Sequence, residues 1–189
     1  MSARIPNLKP LRTRQKLGKY RIVKRLADGG FATVYHALDT ITGVPVALKV
    51  PHPGHMTAES LAAFRREVKL TARLDHPNIL PIKDAGFIDD YFVIATPIGQ
   101  RTLGDRLHRR MSTELVMSFA SQMLEALAFA HRKGIMHGDV KPENFILFPE
   151  NVLRLADFGI ARFARHTVHA SGSGTVGFLA PEQALGRPS

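Results

Sequence analysis

The hydrophobic pattern of this 189-residue chain changes once, and that change constrains its fold more than any other feature. From Tyr20 to about residue 95, apolar and polar residues alternate with the period of β-strands. Residues 102–189 follow a helical pattern instead, and its clearest apolar stripe runs from Ser112 to Lys133. A β-rich part followed by a helix-led part predicts an α+β fold with two lobes and a cleft between them.

The predicted boundaries follow from this change of pattern and from the charge. We expect a basic flexible arm over residues 1–17, a β-rich N-terminal lobe over residues 18–98 and a helical C-terminal lobe over residues 99–189. The formal net charge is +10, from 26 Lys and Arg against 16 Asp and Glu. Residues 1–19 hold six of these cations and no acid, so residues 20–189 carry only +4. The basic balance therefore belongs mostly to residues 1–19, and no nucleic-acid partner is expected.

Two absences narrow the functional classes further. The chain has no cysteine, which excludes disulfides, zinc knuckles and thiolate chemistry. It also has no apolar run long enough to span a membrane and no apolar core of a secretory signal, so the expected location is cytoplasmic.

The N-terminal part predicts a hairpin and a buried ion pair. Tyr20–Leu26 and Ala32–Leu38 are strands around a glycine turn. In the next strand, alternation places Lys49 on the same face as Ala47. Residues 57–74 predict a helix with Glu67 inside its apolar stripe, where a carboxylate needs a cationic partner. Lys49 is the inward-facing candidate.

A second hairpin, over residues 145–155, predicts a metal site. Its turn centres on Glu150, so Asn144 and Asp157 come side by side at its open end. Two adjacent oxygen ligands of this kind suit Mg²⁺ beside a nucleotide. Asp139 and Lys141 lie shortly before the hairpin, and the set is typical of a phosphoryl-transfer site.

At this point the sequence resembles the eukaryotic-type protein kinases, in particular the bacterial serine/threonine kinases, over roughly residues 18–187. Six motifs occur in the family's order. They are the glycine-rich loop Leu26–Val34, the strand lysine in Val46–Lys49, the helix carboxylate Glu67, the catalytic loop His137–Asn144, the triplet Asp157–Gly159, and the end of the activation segment with Gly174, Thr175 and Ala180–Glu182.

The resemblance implies a role for each position. Asp139 would orient the substrate hydroxyl and accept its proton, with Lys141 stabilising the transferred group, and Lys49 would bind the ATP phosphates while Glu67 holds it. Asn144 and Asp157 would bind Mg²⁺. The implied nucleotide-binding positions are Leu26, Ala27, Gly29, Gly30, Val34, Ala47, Lys49, Thr96, Ile98 and Ile146.

The sequence departs from the family pattern in three places. Ala27 and Ala32 stand where the glycine-rich loop usually has glycines, so we expect weaker nucleotide binding. Gly138 replaces the arginine that usually precedes the catalytic aspartate, so we expect switching that does not depend on a phosphate docking at this loop. The chain also ends soon after Glu182, which predicts an incomplete helical lobe. Either the sequence is a fragment, or self-association or another partner covers the exposed face.

The expected function is that of an ATP- and Mg²⁺-dependent serine/threonine kinase acting on a protein substrate. The alternative is a truncated pseudokinase that binds a nucleotide or a partner without catalysis. A Rossmann dinucleotide fold is disfavoured because a strand, not a helix, follows the glycine turn.

Overall fold

The computed structural model describes residues 9–29, 32–52, 58–158 and 178, without the side chains of residues 58–60, 63, 64, 66 and 67. Several predicted features lie outside this description: Gly30, the Thr57 cap, the side chain of Glu67, Gly159 and the predicted end of the activation segment. Contacts divide the chain into two compact units. Unit 1 comprises residues 1–73 and 81–98, and unit 2 comprises residues 74–80 and 99–189.

Unit 1 is built on a six-stranded antiparallel sheet with the strand order β1-β2-β3-β4-β6-β5. One helix, α1, belongs to the same unit. The elements are β1 (Lys16–Leu17), β2 (Tyr20–Asp28), β3 (Ala32–Asp39), β4 (Pro45–Pro51), α1 (Ala58–Thr71), β5 (Asp84–Ile88) and β6 (Tyr91–Pro97).

Alternation decides which face of this sheet forms the core of unit 1. In β4, Val46, Leu48 and Val50 are buried, whereas Ala47 and Lys49 between them are only partly buried. The period of two therefore holds as predicted, and it assigns Ala47 and Lys49 to the opposite face. The core includes the following buried residues: Tyr20, Ile22, Tyr35, Ala37, Val46, Leu48, Val50, Val93 and Ala95.

The segment before β2 differs from the expected flexible arm. Leu11 is 7% exposed and belongs to the core of unit 1. Its backbone N–H donates to the Tyr35 hydroxyl at 3.2 Å, and the Tyr91 hydroxyl donates to the carbonyl of Lys9 at 2.7 Å. Leu17 is also buried, in β1. Residues 9–17 thus pack on the sheet, because their two leucines cover apolar surface that would otherwise face water.

Unit 2 combines helices with a three-stranded antiparallel sheet, β7-β8-β9. Its elements are β7 (Arg101–Thr102), α2 (Leu103–Leu107), α3 (Thr113–Arg132), β8 (Phe145–Leu147) and β9 (Leu153–Leu155). Helix α3 begins after Ser112, whose hydroxyl accepts from the N–H of Leu115 at 3.3 Å. It ends before Gly134, which has a φ of 69°. Both ends match the sequence prediction.

The core of unit 2 lies between α3 and the β8–β9 hairpin. Phe119, Ala126 and Ala130 of the helix and Phe145 and Leu155 of the hairpin are buried together. Residues 74–80 belong to this unit although they precede β5: the N–H of residue 80 donates to the carbonyl of residue 155 at 2.9 Å. No helix in the described part of the chain combines the length and the apolarity needed to cross a membrane.

The packing of residues 9–17 predicts that Leu11 contributes to stability. Leu11→Ala should lower the free energy of unfolding by about 2 kcal/mol, because it leaves a cavity at the edge of the core. Urea unfolding followed by circular dichroism measures this change. Ile41→Ala is the matched control, since Ile41 is 79% exposed and its truncation should cost less than about 0.5 kcal/mol. Equal losses in the two variants would contradict the packing role.

Candidate active site

Five of the predicted nucleotide-binding positions of unit 1 share one face of the sheet. Ala27 lies opposite Val34, and Val34 lies opposite Lys49. In the next row, Ala47 lies opposite Thr96. Residues directly opposite in an antiparallel sheet point to the same side, so these five side chains are neighbours on the face that the core leaves uncovered.

The glycine turn between β2 and β3 is closed at its base by two hydrogen bonds. The N–H of Gly29 donates to the carbonyl of Ala32 at 3.0 Å, and the Thr33 hydroxyl donates to the Asp28 carboxylate at 2.7 Å. The Asp28 carboxylate also pairs with Arg25 at 2.8 Å. The Thr33 hydroxyl and then the Arg25 charge hold the pKa of Asp28 below its usual value. The carboxylate therefore stays ionised and joins the two strands where the loop begins.

In unit 2, the loop from His137 to Asn144 is held by a buried amide. Asn144 is 6% exposed. Its side-chain Nδ2 donates to the backbone carbonyl of Asp139 at 2.7 Å and to the Asp139 carboxylate at 3.1 Å. The Lys141 ammonium lies 2.8 Å from the same carboxylate. Asp139, Lys141 and Asn144 are thus brought together as the sequence predicted.

The hairpin register also matches the prediction. Phe145 pairs with Leu155, and the N–H of Ala156 donates to the carbonyl of Asn144 at 2.8 Å. Asn144 therefore directly precedes β8, and Asp157 follows β9 by two residues, at the same end of the hairpin. The Nδ2 of the Asn144 amide is committed to Asp139, so its Oδ1 is the atom that would face a cation. An amide oxygen beside a carboxylate is a donor set that suits Mg²⁺, and these two residues fit the ion.

His137 belongs to the site, although the sequence analysis assigned it no role. It is 1% exposed; its Nδ1 accepts from the N–H of Asp139 at 3.2 Å, and its Nε2 donates to the Ala156 carbonyl at 2.8 Å. This pairing requires the neutral ring, and burial lowers the pKa of His137 accordingly. Its ring also contacts Phe158 edge-on, with the centroids 4.8 Å apart. His137 thereby ties the loop to the strand end that carries Asp157. Its position as the first residue of the catalytic-loop motif is the sequence signal that could have identified it.

Two backbone positions in this region are left-handed. Gly138 has a φ of 77° and Asp157 a φ of 61°. Glycine adopts this conformation without steric cost, whereas an L-residue pays for it. The glycine that replaces the family's arginine therefore relieves strain directly before Asp139.

Residues 20–188 match the family model of the protein kinase domain. The chain belongs to the protein kinase family. It is 35% identical over 181 residues to the serine/threonine-protein kinase PknL of Mycobacterium tuberculosis, covering 92% of this chain and 45% of PknL. It is 34% identical over 176 residues to the serine/threonine-protein kinase PrkC of Bacillus subtilis, covering 89% of this chain and 27% of PrkC. This kinase-family chain therefore spans less than half the length of either relative.

Solved structures agree on the fold. The crystal structure of the M. tuberculosis PknI kinase domain is similar to this chain with a TM-score of 0.71 and 28% sequence identity. The match covers 95% of this chain and 71% of the PknI chain. The predicted α+β, kinase-like fold is confirmed, with a β-rich unit and a unit that combines helices with a small sheet.

The left-handed backbone of the catalytic loop yields a stability prediction. Gly138→Ala should lower the free energy of unfolding by about 1 kcal/mol, because alanine is strained at this φ. Gly86→Ala is the control: Gly86 lies in β5 without a positive φ, and a Cβ there would meet no atom within 4 Å. Chemical denaturation of both variants measures the difference, and an unchanged Gly138→Ala stability would show that the loop relaxes without cost.

Proposed function

We propose that this chain carries the catalytic machinery of a serine/threonine protein kinase, which transfers the γ-phosphoryl group of Mg-ATP to a protein hydroxyl. The observation that carries the proposal is the arrangement of Asp139, Lys141 and Asn144. The Asp139 carboxylate pairs with the Lys141 ammonium at 2.8 Å and accepts a hydrogen bond from the buried amide of Asn144. A carboxylate fixed in this way suits a positioned general base.

The proposed reaction assigns Asp139 and Lys141 to the acceptor side. Asp139 orients the serine or threonine hydroxyl and takes its proton as the oxygen attacks the γ-phosphorus. The bond between that phosphorus and the β,γ-bridging oxygen breaks, and ADP leaves with the bonding electrons. Lys141 lies beside the carboxylate and stabilises the negative charge of the transferred group.

The remaining roles follow the face shared by the sheet residues. Lys49, supported by Glu67, binds the phosphates, and the backbone at Gly29 and Gly30 approaches them. Asn144 and Asp157 hold Mg²⁺, which neutralises charge on the phosphates when bound. The proposed adenine contacts are Val34, Ala47 and Ile146, and the backbone of Thr96 to Ile98 is proposed to bind the edge of the base. Leu26 and Ala27 are further proposed nucleotide-binding positions.

Partners and location remain predictions of the same proposal. The substrate is a protein with a serine or threonine acceptor, and no nucleic acid is required. Self-association or a covering partner for the helical unit and a cytoplasmic location also stay predictions.

Replacing the proposed base separates an enzyme from a silent binding module. Asp139→Asn should lower phosphate transfer from Mg-ATP by at least about 100-fold, because an amide cannot accept the proton. Transfer of labelled phosphate to a protein substrate measures this loss. Asp90→Asn, in the exposed turn between β5 and β6, is the matched control and should keep full activity. Equal background transfer in wild type and in Asp139→Asn would favour the pseudokinase alternative.

The base of the glycine turn predicts a separate effect on the nucleotide. Thr33→Val removes the hydroxyl that binds Asp28, so the KM for ATP should rise about fivefold, which corresponds to roughly 1 kcal/mol for one hydrogen bond. The kcat should stay within about twofold, since the loop closes on the nucleotide but does not touch the acceptor.

Thr33→Ser keeps the hydroxyl and should restore the wild-type KM for ATP. Steady-state kinetics at varied ATP concentration decide between the outcomes. A Thr33→Ser variant that is as impaired as Thr33→Val would show that the methyl group, not the hydrogen bond, matters.

A further inference from the structure

One short segment of unit 2 is strongly basic. Residues 101–110 contain four arginines and one aspartate, a net charge of +3. We call this segment the basic turn; its arginines are Arg101, Arg106, Arg109 and Arg110.

The basic turn is attached to the catalytic loop at two places. Arg101 and Thr102 form β7, which pairs with β8 directly after Asn144. Helix α2 passes the 142–144 turn at Gly104, where a Cβ would lie 3.3 Å from the Glu143 carboxylate. The segment therefore packs against the stretch of chain that also holds Asp139.

Local hydrogen bonds fix the shape of the basic turn. The Arg106 guanidinium donates to the carbonyl of Arg109 at 3.1 Å and to that of Arg110 at 3.4 Å. The Thr102 hydroxyl accepts from the N–H of Asp105 at 3.0 Å, and the Asp105 carboxylate accepts from the N–H of Thr102 at 3.1 Å. These bonds order the backbone from which Arg109 and Arg110 project.

The acids near the basic turn offset only part of its charge. Asp105 is bound to Thr102, and Glu143 lies beside Gly104, so two carboxylates stand against four arginines. Arg109 and Arg110 are exposed, and neither forms a salt bridge with another residue in the described part of the chain. The basic turn is therefore positive and accessible at its far end.

We propose that the basic turn docks an acidic segment of the protein substrate, so that acceptors flanked by aspartate or glutamate are preferred. This inference rests on the proposed kinase function. Arginine binds carboxylates with a planar pair of donors, and complementary charge speeds encounter and fixes register. A nucleic acid fits the segment less well, because residues 101–110 offer no Phe, Tyr or Trp on which bases could stack.

The test compares two acceptor peptides that share one serine or threonine and differ only in flanking residues, acidic in one and neutral in the other. The wild-type 189-residue chain should phosphorylate the acidic peptide with a higher kcat/KM. In Arg109→Glu with Arg110→Glu, the ratio of kcat/KM for the acidic peptide to that for the neutral peptide should fall about tenfold, mainly through KM. Added salt should also lower this ratio for the wild-type chain, because it screens the charges.

The matched control reverses the charge of two cationic residues outside the basic turn. Arg21→Glu with Lys24→Glu makes the same change of charge on exposed residues of β2 and should leave the peptide ratio unchanged. A wild-type chain without preference for the acidic peptide would overturn the proposal, as would an equal fall of the ratio in both double variants.

Direct binding separates failure of docking from failure of the proposed chemistry. Fluorescence anisotropy of the labelled acidic peptide should show about tenfold weaker binding to Arg109→Glu with Arg110→Glu, even for a chain that transfers no phosphate. Unchanged peptide binding would overturn the proposal. Tighter binding of phosphatidylserine vesicles or of a single-stranded oligonucleotide than of the peptide, lost in the same variant, would also overturn it by assigning the basic turn to a different partner.

Discussion

The buried side chain of Asn144 is the constraint on which the rest of unit 2 depends. Its Nδ2 donates twice to Asp139, and its backbone carbonyl accepts from Ala156. One residue thus joins the loop that carries the proposed base to the hairpin that carries the proposed metal ligands. A buried amide left without these partners would cost a few kcal/mol, so loop and hairpin are held in one arrangement.

His137 adds a second, independent tie to the same arrangement. It joins Asp139 to Ala156 through its two ring nitrogens and packs against Phe158. Because the ring must be neutral for both hydrogen bonds, its low pKa and its geometry agree. The chemistry proposed for Asp139 therefore depends on polar groups that are buried and paired around it, and the apolar core of α3 and the hairpin keeps water from competing with them.

Local patterns predicted much of the fold and of the site. Strict alternation in β4 placed Lys49 with Ala47, and the capping serine and the stop glycine located α3 to within one residue at each end. The register of the 145–155 hairpin placed Asn144 opposite Ala156, the residue before Asp157, because a short turn allows few registers. Residues 9–17 were predicted wrongly as a solvated arm. Their cations dominate the composition, while Leu11 and Leu17 have no local periodicity to announce that they are buried.

The sequence by itself determined the change from strands to helices, the face of β4 that carries Lys49, the bounds of α3 and the register of the 145–155 hairpin. These features depend on neighbours a few residues apart, and backbone geometry translates such spacing directly into position. Only the tertiary structure decided that residues 74–80 join unit 2, that residues 9–17 cover the sheet of unit 1, and that the basic turn packs beside the catalytic loop. Those outcomes depend on contacts between distant segments, where complementary shape and burial select one arrangement that no local pattern encodes.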